Sequence, residues 1–207
     1  MKHGTDKVTV HHYGFIYDKY LPTFRDKKVK MLEIGLGCDM PDGPGHSYYS
    51  WLEYFPNIEL WVMDINEGCV NEWAHKSPHA TVVAGDQADV NFLNRFLAQA
   101  GTGFDVIVDD GGHTMNQQMT SLQILWKAVR PGGIYFIEDL ETSFLPQTGG
   151  DPQAAAEGKL TTLRYVFELI VDKVKDENNH AEITPTLRSV DCDRQICAMI
   201  KKDLGTV

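Results

Sequence analysis

The stretch FDVIVDDGGHTMNQQ, Phe104 to Gln118, pairs in character with GGIYFIEDLETS, Gly132 to Ser143. In each, an apolar run ends abruptly in acid: Val106-Ile107-Val108 meets Asp109-Asp110, and Ile134-Tyr135-Phe136-Ile137 meets Glu138-Asp139. Short β-branched and aromatic runs bounded by glycine mark buried strands of a parallel sheet. Two such strands in one sheet project their acids from the same carboxyl-terminal edge, where open α/β sheets place their ligands. Asp110, Glu138 and Asp139 are therefore expected to converge, with His113 just beyond the first of them. Three carboxylates and an imidazole at one edge point to an oxygen-ligand metal site beside a base.

Outward from this pair, VKMLEIG (Val29 to Gly35) predicts the first strand, with Glu33 near its end. The glycines of GLGCDMPDGPGHS, Gly35 to Ser47, permit close backbone approach to a nucleotide-like ligand. Their spacing, stretched by Cys38 to Pro44, is not the GxGxxG fingerprint. Ile58 to Ile65 predicts a second strand ending in Asp64, where a carboxylate can accept from both hydroxyls of a ribose or serve as a surface acid or cap. Ala80 to Gly85 predicts a third strand, leading into Asp86-Gln87. Helices are expected over Ser47–Phe55, Glu67–Lys76, Asp89–Ala98 with Asp89 as N-cap, and Thr114–Val129, the last followed by a turn at Arg130-Pro131-Gly132-Gly133.

Residues 1–28 predict a helical lead-in in which Tyr13, Ile16, Tyr17 and Tyr20 recur at helical spacing, the pattern of core packing. Gly4-Thr5-Asp6-Lys7 is a turn-like entry able to fold over a ligand. Residues 141–157 carry Gly and Pro without apolar periodicity and predict a mobile lid loop over the acidic edge. Thr161 to Lys175 predicts a long helix with Leu163, Val166, Phe167, Ile170 and Val174 on its apolar face. Ile183 to Asp203 predicts a closing hairpin about Cys192-Asp193-Arg194. Five strands alternating with helices, then a hairpin, make an α/β fold: a doubly wound, Rossmann-like sheet, mostly parallel with a C-terminal antiparallel hairpin. Without internal repeats, residues 1–207 are expected to form a single domain.

The 207 residues carry a formal charge of −10, with 43% apolar and 23% charged residues. That composition is ordinary for a globular α/β domain. The acid excess argues against nucleic acid, whose phosphates need clustered Lys and Arg. No apolar run approaches the roughly 20 residues of a membrane span, and MKHGTDKVTVHH lacks the apolar core of a signal peptide. Cys38, Cys69, Cys192 and Cys197 form no CxxC pair, so reduced thiols in a cytoplasmic protein are expected. A Cys192–Cys197 cross-strand bridge is the alternative.

LEIGLG (Leu32–Gly37), YFPNIELWVMDIN (Tyr54–Asn66), GDQAD (Gly85–Asp89), DDGGHTMNQQ (Asp109–Gln118) and PGGIYFIEDLETS (Pro131–Ser143) together resemble the class I S-adenosylmethionine-dependent methyltransferases. Within that class they resemble the metal-dependent O-methyltransferases that act on sugars of macrolides and related natural products. The resemblance implies that Glu33 and Gly35 line the methionine end of S-adenosylmethionine, that Asp64 holds the ribose, and that Asp86 and Gln87 sit at the adenine. It also implies Asp110, Glu138 and Asp139 as ligands of Mg2+ or a similar divalent cation, His113 as general base, and Asp109 on the cofactor rather than the metal. Carboxylate ligands suit such a hard cation. The partner implied is a small-molecule hydroxyl acceptor, a sugar, polyol or secondary metabolite, with room for homo-oligomerisation. A cofactor-binding protein that catalyses a non-methylating reaction such as a cyclisation, or that acts as a non-enzymatic partner, is the alternative.

Overall fold

The residues of FDVIVD, Phe104–Asp109, are all buried, as a strand covered on both faces must be. They form β4, at the centre of a seven-stranded sheet in a computed structural model that describes residues 7, 10–153, 159–203 and 205. β1 (Val29–Ile34), β2 (Ile58–Asp64) and β3 (Ala80–Ala84) extend the sheet to one side, and β5 (Val129–Ile137) to the other, all pairing in parallel. β7 (Ile196–Lys201) pairs antiparallel with β5, and β6 (Leu187–Asp193) pairs antiparallel with β7, giving the order β3-β2-β1-β4-β5-β7-β6. The doubly wound sheet with an antiparallel end is thus the one its sequence predicts.

Period-two alternation along β4 sends Ile107 to one face and Val106 and Val108 to the other. On the Ile107 face pack α4 (Val90–Ala100), α5 (Met115–Leu125) and α6 (Thr162–Lys175), through Phe96, Leu122 and Leu169 among others. On the opposite face pack α1 (Gly14–Tyr20), α2 (His46–Tyr54) and α3 (Glu67–Ala74), through Tyr17, Trp51 and Trp73. Asp89 caps α4 by accepting from the Asn91 amide, as its position before the helix predicts. Among the described residues no helix is long and apolar enough to cross a membrane.

Strand register places the acids. Asp109 stands opposite Ile34 of β1 and Ile137 of β5. The Asp110 amide donates to the Ile34 carbonyl at 3.0 Å, and the Glu138 amide to the Asp109 carbonyl at 3.0 Å. The sheet ladder therefore continues one residue past each strand and brings Asp110 and Glu138 out side by side.

Four sequence expectations are corrected. α5 stops at Leu125, a 3-10 turn spans Trp126–Ala128, and Val129 already pairs with Phe104, so the Arg130–Gly133 segment belongs to β5 rather than to a turn. α6 buries Thr162, Tyr165, Val166, Leu169 and Asp172, leaving Phe167 61% and Val174 82% exposed. The inward polar groups are satisfied: the Asp172 carboxylate accepts from Asn179 and the His180 amide, so apolar periodicity alone chose the wrong stripe. The cysteines are not reduced. Cys192 and Cys197 face each other across β6 and β7 and are bonded, and Cys38 of the glycine loop is bonded to Cys69 of α3 across 31 residues. Finally, the stretch read as a loose loop begins with packed 3-10 turns at Leu140–Phe144 and Pro146–Thr148. Ser143 is buried and accepts from the Leu163 amide, tying the stretch to α6. Residues 154–157 of that loop, like Gly4, Thr5 and Asp6 of the lead-in, lie outside the described residues.

Candidate active site

At the carboxyl edge the sequence GGHT does two things at once. Thr114 and Gln117 form a reciprocal capping box that starts α5, which fixes where the preceding residue must lie. That residue is His113, held at φ 54°, and Asp139 is held at φ 53° after β5. Left-handed backbone is disfavoured for residues with a side chain and recurs where geometry serves a site. The two strained residues meet: His113 Nε2 lies 3.2 Å from Asp139 Oδ2 and 3.8 Å from Asp110 Oδ1. Donor atoms of Asp110, His113 and Asp139 all fall within 4.8 Å of one another. The structure thus brings together three of the four residues expected to meet, and places the fourth beside them. Glu138 is 1% exposed and turned inward.

What surrounds Glu138 was not anticipated. Lys7, itself 2% exposed, places its ammonium 2.6 Å from Glu138 Oε2, in a short contact with Asp110, and 3.9 Å from Glu33. The Tyr17 hydroxyl donates to Glu138 Oε1, and the Tyr13 hydroxyl donates to Asp139 Oδ1. Burial opposes the charge on Lys7, but Asp110, Glu138 and Glu33 outweigh it and hold its pKa above the ordinary value. Burial drives the Glu138 carboxyl well above the usual carboxylate range, with Asp110 adding to the effect and Lys7 and Tyr17 opposing it. Glu33 is pushed up to about 7, chiefly by burial against the pull of Lys7. The only sequence signal for these donors was the four-residue spacing of Tyr13 and Tyr17, which reads equally well as packing.

A cavity of about 530 Å³ opens onto this edge and is lined by Gly35, Asp64, Gln87, Asp110, His113 and Asp139, among others. Its volume is that of a typical cofactor-sized cleft. Asp64 spans it at one side, accepting from the Leu36 amide of the glycine loop and the Asn66 amide, both at 2.9 Å. Glu33 is fully buried behind the wall and accepts from Ser47. Gln87 braces the DDGGH turn: its amide donates to Asp109 at 2.8 Å while its carbonyl oxygen accepts from the Gly112 amide at 2.9 Å. Asp109 does not reach the cavity. Fully buried, it accepts from Gln87, Ser121 and Tyr135, and burial, countered by those bonds, raises its pKa. Asp86 closes its own turn by accepting from the Ala88 amide at 2.7 Å and is not among the cavity-lining residues.

The donor set suits a hard divalent ion, because it is built of carboxylate oxygens with one imidazole at the margin. The Lys7 ammonium already lies between Asp110 and Glu138, so a divalent ion held by both acids has to share the site with that charge or displace it.

A mostly parallel sheet in this strand order, closed by an antiparallel pair and carrying its cavity at the carboxyl edge, is the class I methyltransferase fold. No protein-family model matches the chain. In sequence the chain is similar to O-methyltransferases that act in natural-product pathways. It is 35% identical over 183 residues, 88% of its length, to 8-demethyl-8-alpha-L-rhamnosyl tetracenomycin-C 2'-O-methyltransferase of Streptomyces olivaceus, of which it covers 45%. It is 34% identical over 168 residues, 76% of its length, to mycinamicin VI 2''-O-methyltransferase of Micromonospora griseorubida, of which it covers 41%. The chain therefore spans less than half the length of these relatives. Among solved structures, MycE methyltransferase of the mycinamycin pathway, in complex with Mg and SAH, superposes with a TM-score of 0.81 at 27% identity, covering 94% of this chain and 50% of that one.

Proposed function

We propose that this chain binds S-adenosylmethionine in the edge cavity and transfers its methyl group, with Mg2+, to a hydroxyl of a sugar carried on a small molecule. The observation that carries the reading is that Asp110, Asp139 and His113 converge at the rim of a cofactor-sized cavity, with Glu138 buried beside them. The homologues' names and the Mg and SAH of the MycE complex support it.

In this reading Asp64, Gly35 and Gln87 receive the cofactor, and Asp110, Glu138 and Asp139 hold the divalent ion. A divalent ion there supplies Lewis acidity, which lowers the pKa of an acceptor hydroxyl. His113 accepts the hydroxyl proton at Nε2 as the acceptor oxygen bonds the methyl carbon and the carbon–sulfur bond of the sulfonium breaks. Asp139, whose Oδ2 lies 3.2 Å from that nitrogen, accepts a hydrogen bond from Nε2–H once the proton has arrived and so stabilises the imidazolium. The rigid edge aligns oxygen, carbon and sulfur, from which most of the proximity advantage derives.

One observation favours a different role for His113. Its Nε2 lies within the same 4.8 Å cluster as the Asp110 and Asp139 oxygens and would itself be a ligand. A single pair of measurements separates the two. His113→Ala should lower methyl transfer to a panel of deoxysugar glycosides by about 10²–10⁴-fold while leaving the Kd for Mg2+ unchanged. A parallel loss of Mg2+ affinity would make His113 a ligand. Wild-type protein that yields no methylated glycoside, with or without Mg2+, would remove the proposal.

A further inference from the structure

Helix α1 and its N-cap residue Tyr13 present tyrosines in register with the two acids that follow β5. Tyr13 and Tyr17 stand four residues apart, hence one above the other on a single helix face. Glu138 and Asp139 are consecutive, and each tyrosine takes one of them: Tyr17 donates to Glu138 Oε1 and Tyr13 to Asp139 Oδ1. The Tyr13 hydroxyl also accepts from the Asp139 amide at 3.3 Å, so one hydroxyl grips both ends of a residue in left-handed backbone. The rings supply the leverage. Tyr13 is 1% and Tyr17 2% exposed, and Tyr17 packs against Trp51 and Phe136, whose own positions the sheet core fixes.

Packing alone needs no hydroxyl; phenylalanine would serve. A phenol oxygen buried at this edge has to find a partner, and both find one of the acids assigned to the metal. Carboxylates that hold a metal need outer partners to fix their free oxygens, and loss of such a partner weakens binding by about 10–100-fold. Burial first, and the neighbouring acids after it, raise the pKa of both phenols, so they remain neutral donors. They order the carboxylates without opposing a cation. Lys7, which reaches Asp110 and Glu138 from the same segment, carries a charge and does oppose one.

We infer that Tyr13 and Tyr17 are positioning residues for the divalent ion, making the N-terminal helix a working part of the metal site. The inference rests on the metal assignment proposed above and extends it to a helix whose tyrosines had read as packing.

The test is Mg2+ titration, followed by calorimetry, of the whole chain and of Tyr13→Phe, Tyr17→Phe and Tyr20→Phe. Tyr20 lies on the same helix but donates to Asp191 at 2.7 Å, away from the edge, and is the control. Tyr13→Phe and Tyr17→Phe are each expected to weaken Mg2+ by about 10-fold or more, with S-adenosylhomocysteine affinity in the absence of metal and Tm held near wild type. Tyr20→Phe is expected to leave Mg2+ affinity unchanged. Equal Mg2+ affinity in all variants, beside a wild type that binds, overturns the inference while sparing the metal assignment. A fall in Tm matched by Tyr20→Phe also overturns it, by reducing the tyrosines to packing. A wild type that binds no Mg2+ removes the metal assignment and this inference together.

Discussion

Gly35 stands where the sheet edge leaves little room and the facing atom is backbone. It sits at φ +101°, and a Cβ added there would lie 2.0 Å from the backbone oxygen of Asp110. Positive φ costs an ordinary residue about 1–2 kcal/mol. Overpacking against an atom that cannot rotate away adds about 1–3 kcal/mol. Gly35→Ala is therefore expected to destabilise the protein by about 2–5 kcal/mol, or roughly 4–20 °C in Tm for a domain of this size. Gly103 is the control: its φ is +88°, but an added Cβ meets nothing within 4 Å. Gly103→Ala should show only the conformational cost of about 1–2 kcal/mol. Thermal unfolding of both variants isolates the contact between the glycine loop and Asp110. Because relief of that contact displaces a proposed metal ligand, Gly35→Ala should also lose Mg2+ and cofactor affinity, measured by calorimetry. Equal Tm in the two variants, with ligand binding intact, would refute the close approach of β1 and β4 at this edge.

Other consequences follow from the same geometry. Lys7→Met should tighten Mg2+ binding by about 10-fold or more, since like charges ~4 Å apart repel by about 4 kcal/mol at an effective dielectric near 20; weaker binding in that variant would make the ammonium a builder of the site instead. Replacing Cys38 and Cys69 by serine opens a 31-residue loop, which should lower stability by about 3–4 kcal/mol. Because Cys38 lines the cavity, S-adenosylhomocysteine should also bind less tightly; an unchanged Tm would contradict the clamp. Burial alone would raise the Asp172 carboxyl, but hydrogen bonds from His180 and Asn179 bring it down to about 2. Its folded value lies below an unfolded value near ~4, so its contribution is complete above about pH 4 and fades as pH falls toward 2. In Asp172→Asn the acid limb of the stability curve should flatten relative to wild type, and parallel curves would remove this account.

The sheet and its acidic edge were legible because β4 and β5 are buried on both faces and end abruptly. Short β-branched runs such as Val106-Ile107-Val108, bounded by glycine, suit a fully buried strand, and parallel pairing sends Asp110 and Glu138 to one edge. The inner support was not legible, for a physical reason. Tyr13 and Tyr17 bury their rings and use their hydroxyls, and a helical spacing of aromatics reports only the first. Lys7 is 103 residues from Asp110 in sequence, and only the fold joins them. Asp109 and Asp110 look interchangeable in the string, yet pleating turns one into Gln87, Ser121 and Tyr135 and the other into the cavity. The α6 stripe misled because Asp172 and Thr162 are buried with their polar groups satisfied, while Phe167 and Val174 face outward. The Cys38–Cys69 bond joins two segments that meet only once β1, β2 and α3 are assembled.

On the function proposed above, one edge of one sheet holds both a methyl-donor cofactor and a divalent ion. Calorimetric titration of S-adenosylhomocysteine, with and without Mg2+, into wild type and Asp139→Asn tests it most directly. The account predicts cofactor binding by both proteins and a separate Mg2+ signal present in the wild type and lost in the variant. A wild type that binds neither ligand, or a variant whose Mg2+ signal is undiminished, would contradict it.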